Sequence, residues 1–143
     1  MAQNSRMIDI VLIEDSQGDI MLIKEALAES GVGYQMQAIT DGESAMEYLR
    51  RLDGRQHPDL IILDLNLPRI NGQEILKFIK SSEQICNIPV IVLTTSSDIR
   101  DIDESYRLHA NCFISKPVNY EKFIDIIRAI DNFWFKTVTL PKN

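Results

Sequence analysis

The chain has 143 residues, 45% of them apolar and 25% charged, which suits one globular domain with room for a real core. With 15 basic against 21 acidic residues the formal charge is −6, so there is no basic footprint for nucleic acid; the nearest basic group, Arg50, Arg51 and Arg55, reads as a solvated helix end. Two cysteines are too few for a disulfide scaffold, no signal-peptide core follows Met1, and no apolar run approaches the roughly 20 residues of a membrane span, so a reducing cytoplasm with no membrane attachment is the expected setting.

Ile8–Ile13 is a short apolar run ending in Glu14 and Asp15, the pattern of a buried strand that meets polar residues at its C-terminal end. From Asp19 the period turns helical, with Ile20, Ile23, Ala26 and Leu27 on one face, and stops at the Gly31–Gly33 punctuation. Tyr34–Ile39 alternates and predicts a second strand; Asp41 and Gly42 then open a helix to Leu52 with Ala45, Met46 and Leu49 inward. "LIILDLNLP" at 60–68 is a third strand with its exit loop, and Asn71 and Gly72 precede a helix whose inner face is Ile75, Leu76 and Ile79. "IPVIVLTTSS" at 88–97 is a fourth strand, followed by a helix from about Asp98 to Leu108. "NCFISKP" at 111–117 is a fifth strand, in which Cys112 reads as a small core residue, and a last helix runs from Tyr120 to about Phe135.

Five near-continuous apolar strands alternating with five helices imply a parallel sheet buried on both faces, hence a doubly wound α/β sandwich. In such sheets ligands bind outside the carboxyl ends of the strands. That edge collects Glu14 and Asp15 from strand one, Asp64 from strand three, Thr94 from strand four and Lys116 from strand five. Three carboxylates raise one another's pKa unless a cation joins them, and oxygen ligands without His or Cys suit Mg²⁺. With that charge screened, the Asp64 carboxylate could attack a phosphoryl group, while Lys116 and Thr94 contact its oxygens. Blander readings exist: Thr94 as a strand former, Lys116 as a surface lysine, Phe113 as plain core. The spacing of Thr94 argues against the first, and Pro117, which fixes a turn at the strand end, against the second; convergence with Asp64 and Lys116 argues likewise against reading Glu14 and Asp15 as solvated loop acids.

"IED" at 13–15, "LDLNLPRINGQE" at 63–74, "VLTTS" at 92–96 and "ISKP" at 114–117 together resemble the receiver domains of two-component response regulators, over about residues 8–135. The resemblance implies a flavodoxin-like sheet of strand order 2-1-3-4-5 and a receiver that takes a phosphoryl group from a histidine kinase onto Asp64. It implies Mg²⁺ held by Glu14, Asp15, Asp64 and the backbone carbonyl of Asn66, with Thr94 and Lys116 binding the phosphoryl group. Thr94 and Phe113 occupy the family's switch positions, and Gly72 falls in a loop where a missing Cβ permits a left-handed backbone. Glu14 stands where aspartate is common, so it reaches the metal directly or through a water. The insertion-like stretch at 50–59 and the long tail resemble a narrower group, the small stand-alone cyanobacterial response regulators paired with phytochrome histidine kinases.

Two other classes fit the residues less well. A haloacid-dehalogenase-like aspartyl-phosphate phosphatase or phosphotransferase would want a second Asp at position 66, which is Asn, and a flavin or nucleotide carrier would not place "EDSQGD" where phosphate must sit. The expectation is therefore a signalling protein that catalyses only its own phosphorylation and dephosphorylation and acts on an unknown downstream protein. Phe133, Trp134 and Phe135 are consecutive and point in different directions, which leaves apolar surface for a homodimer built on the last two helices and the tail at 136–143.

Overall fold

The computed structural model describes residues 7–52 and 57–141; Arg55, at the centre of the 50–59 stretch, and residues 142–143 of the tail lie outside them. The elements run β1 (Ile8–Ile13), α1 (Gln17–Ala28), β2 (Tyr34–Ile39), α2 (Gly42–Arg51), β3 (Leu60–Leu63), α3 (Gly72–Ser81), β4 (Val90–Thr94), α4 (Ile99–Arg107), β5 (Cys112–Ser115), α5 (Tyr120–Ile130) and a π turn (Asp131–Phe135). Every pairing is parallel and the strand order is β2-β1-β3-β4-β5, as the family resemblance implies. Among the described residues no helix is long and apolar enough to cross a membrane.

Side chains of a strand alternate between faces, and here both faces are apolar because each meets its own core. Val11, Ile13, Ile61, Leu63, Val90 and Val92 pack with Leu49 of α2 and Ile75, Leu76 and Ile79 of α3. Their neighbours Ile10, Leu12, Leu60, Ile62, Ile91 and Leu93 pack on the other face with Ile20, Ile23 and Leu27 of α1 and Phe123, Ile127 and Ile130 of α5. Each α-helix begins at a side-chain cap: Ser16, Asp41, Asn71, Asp98 and Asn119 each accept a backbone N–H of the first turn. Such a cap is worth about 1 kcal/mol, and it fixes where each helix starts relative to the strand before it.

Two expectations need correction. Gly72 is not left-handed; no glycine among the described residues has positive φ, and Arg69 (φ 67°) takes that conformation in the loop instead. Gly72 is needed for close approach: a Cβ there would sit 2.6 Å from Leu65 Cα and press on the Asp64 carbonyl oxygen. The last helix, moreover, does not stay α-helical to Phe135 but widens into the π turn after Ile130. An i→i+5 repeat brings Phe135 round toward the face of Ile130, where an α-helix would have put Trp134. Phe135 is accordingly buried in the α1/α5 core and presents little surface to a second copy; Phe133 is 54% exposed and Trp134 is half-buried against the same core. Asp131 fastens the turn, accepting from Ser30 Oγ at 2.6 Å and pairing with Lys136 Nζ at 3.2 Å.

Candidate functional site

The ladder of the sheet continues past the strand ends and sets the backbone of the site. Glu14 N–H donates to the Ile39 carbonyl (3.0 Å), Asp64 N–H to Ile13 (2.9 Å) and Lys116 N–H to Thr94 (2.6 Å). Because the strands are parallel, the residues after Ile13, Leu63, Thr94 and Ser115 emerge side by side at one edge. Apolar strands deliver polar residues to one mouth, so Glu14, Asp64 and Thr94 are all buried there.

Lys116 is the hub. Its side chain is 5% exposed, and its ammonium donates to Glu14 Oε1 at 2.5 Å, Asp19 Oδ2 at 2.8 Å and Asp64 Oδ2 at 3.2 Å. Burial works against a charged ammonium, but the bonds and charges of Asp19, Glu14 and Asp64 outweigh it and raise Lys116 above the ordinary lysine range. Burial likewise works against an ionised Asp64. The Asn66 N–H (3.1 Å to Oδ1), the Lys116 charge and the Thr94 hydroxyl more than offset it, and Asp64 falls below the usual range. Asp64 is thus an ionised carboxylate at neutral pH, available as a nucleophile. Glu14 shows the opposite balance: burial pushes it up to about 7, the Lys116 hydrogen bond pulls it down, and the Asp64 charge adds to the rise.

Glu14, Asp15 and Asp64 each offer a carboxylate oxygen, and these oxygens lie within 4.8 Å of one another. Asp15 is exposed while the other two are buried, so the group opens to solvent on one side. Three hard oxygen donors with no nitrogen or sulfur among them fit a divalent cation of the Mg²⁺, Mn²⁺ or Ca²⁺ kind. Such an ion would also offset both the burial that pushes Glu14 up and the Asp64 charge that adds to it.

The other expected residues lie close by. Thr94 Oγ1 accepts from Asn66 Nδ2 at 3.2 Å, and the same amide donates to the exposed Thr95 at 3.0 Å. Phe113 is half-buried against the α2/α3 core, and its N–H donates to the Tyr106 hydroxyl at 3.1 Å, which gives Tyr106 a structural task on α4. Phe133 and Trp134 are not at this edge; they line an apolar hollow with Ile114, Ile126, Ala129 and Ile130. Sequence reasoning missed Asp19, a direct partner of Lys116. The signal was present: Ser16 and Asp19 have the spacing of a helix cap and its third residue, which puts Asp19 at the same edge.

The response regulator receiver domain model matches residues 10–128. Response regulator Rcp1 of Synechocystis is 40% identical over 135 residues, covering 92% of each chain. Among solved structures, the phosphorylated cyanobacterial phytochrome response regulator RcpA superposes with a TM-score of 0.90 at 45% identity, covering 96% of this chain and 100% of that one. The Mn²⁺-bound form of Rcp1 does so with a TM-score of 0.90 at 39% identity, covering 94% and 99%. The haloacid-dehalogenase alternative finds no support in these likenesses.

Proposed function

Since this chain belongs to the response regulator receiver family, we propose that it takes a phosphoryl group from a phytochrome-type histidine kinase onto Asp64 and signals through contacts that depend on it. The reading rests above all on Lys116 Nζ lying 3.2 Å from Asp64 Oδ2 at the edge that also gathers Glu14 and Asp15. The likeness to RcpA and Rcp1 supports the choice of kinase class.

An Asp64 oxygen attacks the phosphorus of a phosphohistidine. The P–N bond breaks, and its electron pair stays on the imidazole, which regains a proton. Lys116 and Thr94 meet the transferred phosphoryl oxygens, the first by charge and the second by its hydroxyl. Glu14, Asp15, Asp64 and the Asn66 carbonyl would hold Mg²⁺, which when bound supplies positive charge against the phosphoryl group. Hydrolysis reverses the modification: water attacks phosphorus, the P–O bond to Asp64 breaks, and the carboxylate returns with inorganic phosphate. The chain catalyses no other reaction in this reading. Once Thr94 turns to the phosphoryl group it must leave the Asn66 amide, and Phe113 follows it inward to signal to a downstream protein.

Residues 8–135 form the receiver in this proposal and residues 136–143 its tail. Phe133 and Trp134 join two copies into a homodimer in the cytoplasm, as an exposed aromatic beside an apolar hollow suggests. The central test is labelling with a small phosphodonor or an autophosphorylated kinase panel in Mg²⁺. Wild type should take label, fastest from a phytochrome-type kinase, and Asp64→Asn should take none. Label on Asp64→Asn at the wild-type rate refutes the assignment.

A further inference from the structure

We propose that Asp19 is a positioning residue for phosphoryl transfer: it holds the Lys116 ammonium in place while the other carboxylates around it change partners. The inference rests on Asp64 being the phosphoacceptor. An ammonium has three hydrogens, and Lys116 has three carboxylate acceptors, so its donors are saturated. Two of those acceptors have a second task. Asp64 turns from a carboxylate into an acyl phosphate, and Glu14 belongs to the group of oxygens that suits a cation. Asp19 has no such task.

The start of α1 explains why Asp19 is free to do this. Ser16 caps the helix and accepts the Asp19 N–H at 3.2 Å. An acid at the third helical position commonly reaches back to the N–H of the capping residue. Here that N–H is already taken, because Ser16 N–H donates to Glu14 Oε2 at 3.1 Å. The Asp19 carboxylate therefore turns to Lys116, 97 positions away in the chain. Its side chain is 29% exposed against 6% for Asp64, so it reaches the ammonium from the solvent side of the cluster.

The contact to Asp64 is the longest of the three and points where the phosphoryl group will form. Exchanging that one hydrogen for a phosphoryl oxygen leaves two still held, by Glu14 and Asp19. Without Asp19 the ammonium would depend on Glu14 alone, and Glu14 is drawn toward the cation as well. Asp19 thus aims the lysine without touching the reacting atoms.

A double-mutant cycle tests this. Phosphorylation of Asp64 by acetyl phosphate in saturating Mg²⁺ is timed in wild type, Asp19→Ala, Lys116→Ala and the double variant. Asp19→Ala should slow wild type about tenfold, the scale of a loosened rather than deleted contact, yet change the residual Lys116→Ala rate by less than about twofold. Asp19→Asn keeps the size of the side chain and should be slowed nearly as much, which guards against a folding defect in Asp19→Ala. Equal fractional slowing in both backgrounds, or a wild-type rate for Asp19→Asn, overturns the proposal. A second readout needs no activity: the Lys116 ammonium nitrogen resonance should be sharp in wild type and broadened by proton exchange in Asp19→Asn, and an unchanged signal overturns it too. If wild type takes no label on Asp64, the phosphoacceptor reading falls as well; if it does and the Asp19 variants behave normally, this inference falls alone.

Discussion

Glu14→Gln is expected to stabilise the metal-free protein at alkaline pH while weakening its hold on a divalent cation. Glu14 is 1% exposed, and burial pushes its carboxyl from 4.5 up to about 7 despite the bond from Lys116. A carboxyl raised in this way binds its proton more tightly in the folded chain than in the unfolded one. Its contribution to stability is complete below pH 4.5 and is lost as pH climbs through about 7. At about 1.4 kcal/mol per pKa unit the loss comes to about 3 kcal/mol. Lys116, raised by the same carboxylates, stays charged across this window, and Asp64, lowered, stays ionised, so neither alters the slope. The amide that Glu14→Gln introduces cannot accept the Ser16 N–H as well as the carboxylate does, so the slopes rather than the absolute stabilities carry the comparison. Urea unfolding in chelator, followed by far-UV circular dichroism, should show wild type losing about 3 kcal/mol relative to Glu14→Gln between about pH 5 and pH 8.5. That corresponds to a midpoint change of about 1.5 M if the urea slope is about 2 kcal/mol per molar. Parallel pH profiles for the two proteins would refute the claim that a buried charge at Glu14 strains the site.

Chelator should abolish Asp64 labelling, and Asp15→Ala should raise the Mg²⁺ needed for half-maximal labelling about tenfold or more; labelling indifferent to both would remove Asp15 from the metal group. Gly72→Ala should cost about 3 kcal/mol in urea unfolding, near the top of the range for overpacking, because its Cβ meets backbone that cannot give way. A loss below about 0.5 kcal/mol would mean that α3 simply shifts. Sedimentation should find wild type dimeric at micromolar concentration and Phe133→Ser monomeric, with Asp64 labelling intact in both. A monomeric wild type would end the dimer proposal.

Much of this is legible in the chain. The strands announce themselves as apolar runs because both faces are buried, and the polar residues that close them fall at one edge because parallel strands all end there. Asp64, Asp15, Glu14, Thr94 and Lys116 can therefore be grouped before any coordinates. What escapes is contact between distant elements and local backbone geometry. Asp19 looks like an ordinary first-turn acid, since its partner is a lysine four strands later. Gly72 invites a backbone conformation that Arg69 adopts instead, because a close approach leaves no mark in sequence. The aromatic run at 133–135 cannot enter one core together, and that much shows in the sequence, yet only the π turn decides that Phe135 goes in and Phe133 stays out.

The hydroxyl of Tyr106 on the N–H of Phe113 also bears on how the sheet ends. β5 is an outermost strand, and outermost strands invite a foreign strand to extend the sheet, the route by which globular proteins turn into fibres. This one is only four residues long, and the donor at its second residue is already occupied by a side chain from α4. An incoming strand would have to evict a phenol to pair with that residue. On that side of the sheet the occupied donor and the short strand work against an open-ended stack of added strands.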